Sequence, residues 1–228
     1  MADHAVADNY DGDVFVYRGG RAPRHVTHVR IDKSVRVLEE EAFRECFSLL
    51  TVETHGRLFR IGRYAFEGCV SLTRINLKSV RVINEGAFET CRDLECVEFG
   101  HILETIRYRA FWGCSSLKLL KFPSIVVIEK CAFNGCESIT DIEFPERLRY
   151  GQTIEGKTFN RCYSLQRIAI PLKRYLFEKD GRYHNQFDKC VQLATVDLVG
   201  GIHKTIALLH IDGWRTEMIT EIDRINQE

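Results

Sequence analysis

Residues 65 to 77 read Ala65-Phe66-Glu67-Gly68-Cys69-Val70-Ser71-Leu72-Thr73-Arg74-Ile75-Asn76-Leu77. The first half of that stretch, a Phe with Cys three residues later, returns at Phe43 to Cys46, Phe88 to Cys91, Phe111 to Cys114, Phe133 to Cys136, Phe159 to Cys162 and Phe187 to Cys190. Successive phenylalanines are 23, 22, 23, 22, 26 and 28 residues apart. Ala precedes the Phe at positions 42, 65, 87, 110 and 132, while Thr158 and Gln186 stand there in the last two units, where the spacing also lengthens. A fixed period of this size is the mark of a stacked repeat, in which no unit can bury its apolar side chains alone.

The second half of the phrase supplies the strand. Three residues after each Cys an apolar residue starts a pattern with apolar positions at plus three and usually plus five: Leu49, Val52; Leu72, Ile75, Leu77; Leu94, Val97, Phe99; Leu117, Leu120, Phe122; Ile139, Ile142, Phe144; Leu165, Ile168, Ile170; Leu193, Val196, Leu198. Alternation of this kind is the period of a strand buried on one face. Val26, Val29 and Ile31 repeat it upstream, which makes eight strands. A third apolar pair lies eight and five residues before Phe, as in Val35 and Leu38 or Leu58 and Ile61. Each unit is therefore predicted to hold a strand, a short return segment and, at the Phe and Cys box, one helical turn.

These residues resemble the BspA-like class of leucine-rich repeats, whose unit runs AFxxCxSLxxIxLP; Ala65 to Leu77 and Ala132 to Pro145 carry the likeness most clearly. The resemblance covers about residues 26 to 200 and implies an α/β solenoid, a right-handed curved stack with a parallel sheet on its concave face. It also implies recognition of other molecules, since such repeats occur in bacterial surface and adhesion proteins and in intracellular families of protists. Residues 1–25 are expected to form an acidic tail and an N-terminal cap around Val14 to Tyr17. Residues 201–228 are expected to form a helical C-terminal cap, with Ile202 to His210, Trp214, Met218, Ile222 and Ile225 at helical spacing.

Composition narrows the function classes. With 32 Lys plus Arg against 32 Asp plus Glu the formal net charge is zero, which argues against a nucleic-acid or anionic-membrane partner. Met1 to Asp13 is acidic and lacks the apolar run of a leader, and no stretch has the length of a membrane span, so the sequence predicts a cytoplasmic protein. In that setting the nine cysteines are expected to be reduced.

No enzyme is expected. Zinc sites want two close cysteine pairs, whereas the repeated cysteines recur 22 to 28 residues apart and read as small buried hydrophobes with a weak donor. Cys96, at an outward strand position, and Cys131, two residues before Phe133, break the repeat and are expected to be exposed. His25 and His28, three apart on a strand, point to opposite faces, and His203 with His210 would be an incomplete ligand set. No Walker loop, GxGxxG turn or HExxH helix is present. The expectation is thus no cofactor, no metal and no catalytic residue.

The outward strand positions carry the most informative pattern. In strand order they are His28 and Arg30, Thr51 and Glu53, Arg74 and Asn76, Cys96 and Glu98, Leu119 and Lys121, Asp141 and Glu143, Arg167 and Ala169, Thr195 and Asp197. The sign alternates through all eight rows. One reading is avoidance of like charges in a sheet. A compatible second reading makes Arg30, Glu53, Arg74, Glu98, Lys121, Asp141, Glu143, Arg167 and Asp197 a mixed-charge platform for a protein partner, helped by a loop at 172–185. The chain itself is expected to be a monomer. The alternative setting is a surface adhesion or ligand-binding domain of a larger protein.

Overall fold

The computed structural model describes residues 10–145, 153–171, 186–199, 204–207, 220 and 224. The chain enters through β1 (Tyr10–Asp11), β2 (Val14–Tyr17), β3 (His28–Ile31) and β4 (Thr51–Glu53). Short and long strands then alternate: β5 (Arg60–Ile61), β6 (Arg74–Leu77), β7 (Val82–Ile83), β8 (Cys96–Phe99), β9 (Thr105–Ile106), β10 (Leu119–Lys121), β11 (Val127–Ile128), β12 (Asp141–Glu143), β13 (Thr153–Ile154) and β14 (Arg167–Pro171). The stack closes with β15 (Thr195–Val199) and β16 (Lys204–Ala207).

The result is a parallel-strand solenoid with two ladders. The long strands line one side and pair in the register that the repeat predicts, with His28 opposite Thr51, Arg74 opposite Cys96, Leu119 opposite Asp141 and Arg167 opposite Thr195. The return segments form a second parallel ladder, β5-β7-β9-β11-β13. Between the ladders lies the core, where every apolar residue of the three sequence phrases within units two to five is buried.

The expected helical turn is not there. Among the described residues of the repeats the Phe and Cys box is a pair of tight turns, so the fold is an all-strand solenoid and the α/β expectation is corrected. The cause is local backbone geometry. Two residues before the Phe of the first six boxes the chain is left-handed, at Glu41, Tyr64, Gly86, Arg109, Cys131 and Lys157, with φ between 53° and 60°. Two residues after the Phe of all seven the chain is left-handed again, at Glu45, Gly68, Thr90, Gly113, Gly135, Arg161 and Lys189, with φ between 59° and 76°. A left-handed residue ends a right-handed helix, and three residues between two such stops are too few to nucleate one.

The box instead bonds to the next coil. Phe43 N donates to Ala65 O at 2.7 Å, Phe66 N to Ala87 O at 2.7 Å and Phe88 N to Ala110 O at 2.7 Å, and the pattern runs on to Phe159 and Gln186. The return ladder and the box are therefore hydrogen-bonded from coil to coil at strand spacing, as is the long-strand ladder except between β4 and β6 and between β8 and β10. No side of the stack is propped open by helices, which would demand about twice that distance.

Two columns fill the core at the box. The rings of Phe43, Phe66, Phe88, Phe111 and Phe133 stack at 4.9 to 5.0 Å, and those of Phe159 and Phe187 follow at 5.5 and 5.3 Å. Beside them runs the cysteine column. Cys91 Sγ donates to Phe66 O at 3.0 Å, Cys114 to Phe88 O at 3.1 Å and Cys136 to Phe111 O at 3.2 Å. Each such carbonyl also accepts the backbone N–H of its own coil's Cys, as when Cys91 N donates to Phe88 O at 3.2 Å. Cys is the small apolar side chain that can use the second lone pair, which explains why the position is not Ala.

The ends also differ from the sequence expectation. β2 is a full member of the parallel ladder, with Phe15 opposite Val29, and β1 covers its edge antiparallel. Buried Tyr17 takes the place of a Phe, its ring 4.8 Å from Phe43 and its hydroxyl donating to Gly20 O at 2.9 Å. Burial, with Glu39 nearby, pushes its phenol up to about 12. At the other end Lys204–Ala207, read above as part of a helix, is a strand that pairs antiparallel with β15, and only Thr220 and Arg224 beyond it are described, both helical. An antiparallel strand covers the open edge of β15, which a helix packed elsewhere would leave exposed. The 172–185 loop lies outside the described residues.

Gly100, just after β8, marks the closest approach between coils, where an added Cβ would lie 1.9 Å from Lys78 O. Gly100→Ala must push two hydrogen-bonded coils apart and is expected to destabilise the protein by about 2–3 kcal/mol, read as a lowered urea midpoint with an unchanged slope.

Candidate interaction surface

The long-strand side presents the charged rows as the repeat predicts. At five of the seven junctions the ladder register fixes the neighbours directly: β3 to β4, β6 to β8, β10 to β12, β12 to β14 and β14 to β15. Much of the charge is matched within the face. Arg167 is the centre of one cluster, 2.5 Å from Asp197, 3.4 Å from Glu143 and 3.7 Å from Asp141. Lys121 Nζ lies 3.0 Å from Glu143 Oε2, and Glu98 pairs with Lys78 at 2.6 Å. Arg30 pairs with Asp11 of β1. Glu53 and Arg74 are exposed and have no ion partner within 4.0 Å among the described residues. All nine residues of the sequence-derived platform therefore lie on one face, and the avoidance of like neighbours accounts for part of their pattern.

The face is interrupted at its middle. The ladder bonding lapses between β4 and β6 and again between β8 and β10, and at the second break a cavity of about 500 Å³ opens. It is lined by the apolar groups of Cys96, Val97, Phe99, Leu119 and Pro123 together with Lys78, Glu95, Glu98, Lys118 and Lys121. Leu119 is 40% exposed in this lining and Cys96 is also exposed. Lys118 pairs with Glu95 at 2.8 Å across the gap. Sequence reading placed both residues outward, yet the gap depends on the separation of two coils and leaves no sign in the residue pattern.

A second charged surface runs along the boxes and was missed in the sequence. Arg44 Nε lies 2.8 Å from Glu67 Oε2, and Arg63 lies 3.3 Å from Glu85. The guanidinium groups of Arg44 and Arg63 stand 5.7 and 5.3 Å from the centre of the Tyr64 ring, and Arg109 stands 5.3 Å from both Tyr108 and Trp112. Tyr64 lies where a Cβ on Gly86 would be, which is why that coil has Gly at the left-handed site. Half-buried Glu89 has its carboxyl raised by burial and held back by Arg109. These contacts run along the stack and rivet coil to coil.

The seven repeated cysteines are buried and Cys96 is exposed, as the sequence predicts, whereas Cys131, also expected to be exposed, is half-buried. Burial pushes Cys46 up to about 11, and Cys69, Cys91, Cys114, Cys136 and Cys162 well above the ordinary thiol range. A buried thiol held protonated is neither a nucleophile nor a ready metal ligand. Among the described residues no three His, Cys, Asp or Glu side chains gather as metal ligands would, and no helix is long and apolar enough to cross a membrane.

Residues 23–127 and 104–206 match the family model for the BspA type leucine rich repeat region, in six copies. The chain belongs to this family. Among solved structures, this BspA-type chain is similar to the T. pallidum leucine rich repeat protein TpLRR, at 23% identity and a TM-score of 0.52, over 83% of this chain and 74% of that one. That likeness shows the fold. A leucine rich cell surface protein from Faecalibacterium prausnitzii matches at 17% identity and TM-score 0.31, over 77% of this chain and 80% of that one. A leucine-rich repeat protein from Bacteroides ovatus matches at 21% and 0.37, over 77% and 61%. No curated protein sequence matches the chain.

Proposed function

We propose that this BspA-type repeat chain is a non-catalytic recognition domain that binds protein through its long-strand face, in the manner of an adhesion repeat. The observation that carries the reading is the central gap. An apolar lining that exposes Leu119 and Cys96, together with Lys and Glu, has the make-up of an interface core with a polar rim. The rows on either side extend it along the face, and their mixed sign favours a protein over a phosphate-rich partner. Family membership makes a cell surface the preferred setting over the cytoplasmic one that the sequence start suggested.

The test is retention of protein ligands on the immobilised chain, compared with a variant carrying Glu98→Lys, Lys121→Glu and Asp141→Lys. Retention is expected to fall by about tenfold or more while the melting temperature changes little, since these side chains are exposed or half-buried. A control reversing the Arg81 and Glu104 pair, which lies 2.7 Å apart on the return side, is expected to keep its ligands. Equal retention by the strand-face variant would place binding elsewhere.

A further inference from the structure

We infer that the first partner of the long-strand face is a second copy of this chain, seated face to face about a two-fold axis that runs parallel to the strands between β8 and β10. The inference rests on the recognition reading above and names the partner for that same face.

The argument is charge complementarity. Eight rows of alternating sign form a set that is complementary to its own reversal, because row one meets row eight, row two meets row seven, and so on. With the axis along the strands each column stays opposite itself. Arg30 then faces Asp197 of the second copy, Arg74 faces Asp141, and Glu98 faces Lys121. Thr51 faces Arg167 and Asn76 faces Glu143, both able to hydrogen-bond, while Glu53 faces Ala169 and His28 faces Thr195. No like-charged pair arises in either column. The other two-fold axis in the plane of the face, along the stack, sets each row on its own sign and puts Asp141 against Glu143. Charge thus selects one of the two isologous arrangements.

The apolar lining agrees with that choice. The axis passes through the gap between β8 and β10, so Cys96 of one copy meets Leu119 of the other twice at the centre, inside the charged rows. Shape permits it as well. Because the return ladder and the boxes repeat at strand spacing, the long-strand side is not wrapped around a helical convex side among the described residues, and two sheet faces can pack about 10 Å apart. Eight rows at about 4.8 Å give a contact about 34 Å long and only a few residues wide, the low end of specific interfaces, so the association is expected to be weak and reversible.

Arg74 and Asp141 decide the matter. Within one chain they are three strand spacings apart, about 14 Å, too far to pair, so compensation between them can occur only across copies. By sedimentation equilibrium at low salt, Arg74→Asp is expected to weaken dimerisation about tenfold or more, and Arg74→Asp combined with Asp141→Arg to restore it to within about threefold. Wild-type protein treated with a short bismaleimide is expected to give a dimer linked through Cys96 on both chains, whatever the stability of the variants. A wild-type chain monomeric to about 1 mM, a double variant no better than the single one, or cross-links through Cys131 would each overturn the inference. If the wild type is monomeric but strand-face reversal still releases other protein ligands, the recognition reading stands and only the second copy falls; if reversal changes neither, both fall.

Discussion

Raising the pH is expected to unfold this protein in a single cooperative step between about pH 9 and 10.5, with thiol ionisation and loss of strand structure coinciding. Six buried thiols have raised pKa values, to about 11 for Cys46 and well above the ordinary thiol range for the five along the column. The ionised form of a thiol is the one that burial disfavours. Below an unfolded thiol pKa of about 8.5 the native and unfolded chains hold the same protons and the stabilisation is fully present. Above it the native chain keeps protons that the unfolded chain releases, so stability falls as pH rises, by about 1.4 kcal/mol per pH unit for each thiol. Six acting together fall on the order of 8 kcal/mol per unit, enough to exhaust an ordinary stability of about 5–15 kcal/mol within two units. In a Cys96→Ser, Cys131→Ser variant, which retains only the repeated cysteines, thiolate absorbance that rises through this range while the circular dichroism stays native would show that the column is open to solvent. Cys114→Ala is expected to reduce the proton release of the step by one sixth.

Phe111→Ala is expected to cost about 4–5 kcal/mol, the largest effect of any single substitution considered. Phe111 is fully buried, with Phe88 at 4.9 Å and Phe133 at 5.0 Å on its two faces and Phe99 edge-on at 6.0 Å. Truncation removes its burial and both stacking contacts, and leaves a void in the middle of the stack where neither neighbouring coil can close without breaking the box ladder. Phe187→Ala, in the last box, is expected to cost less, because a terminal coil can fray alone. Urea titration of the two variants checks the order; a smaller loss for Phe111→Ala would mean that the ring column adapts.

What the residue pattern disclosed follows from period and register. A strand period of two with a fixed repeat determines which side chains form columns, so the charged rows and their neighbours could be written down from the chain alone. The cysteine column was legible for the same reason, including its role as a small apolar residue with a donor. The box was misread because its cue is diluted: Gly68, Gly113 and Gly135 announce the second left-handed site, but Glu45, Thr90, Arg161 and Lys189 adopt the same geometry under the pull of the inter-coil ladder. Four residues of apolar and polar character at Lys204–Ala207 fit a helix as well as a strand, and the exposed edge of β15 decides between them. The gap between β8 and β10 has no sequence cue, since its rows keep the repeat while the hydrogen bonds across them stop.

The most direct test of the arrangement is residue-resolved thiol labelling of the native protein, followed by mass spectrometry. If phenylalanine and cysteine columns hold the stack and the long-strand face lies outside it, Cys96 reacts fastest in protein diluted well below the concentration at which two copies associate, Cys131 follows, and Cys46, Cys69, Cys91, Cys114, Cys136, Cys162 and Cys190 react only at the rate of unfolding. Labelling of Cys91 or Cys114 as fast as Cys96 under native conditions would contradict it.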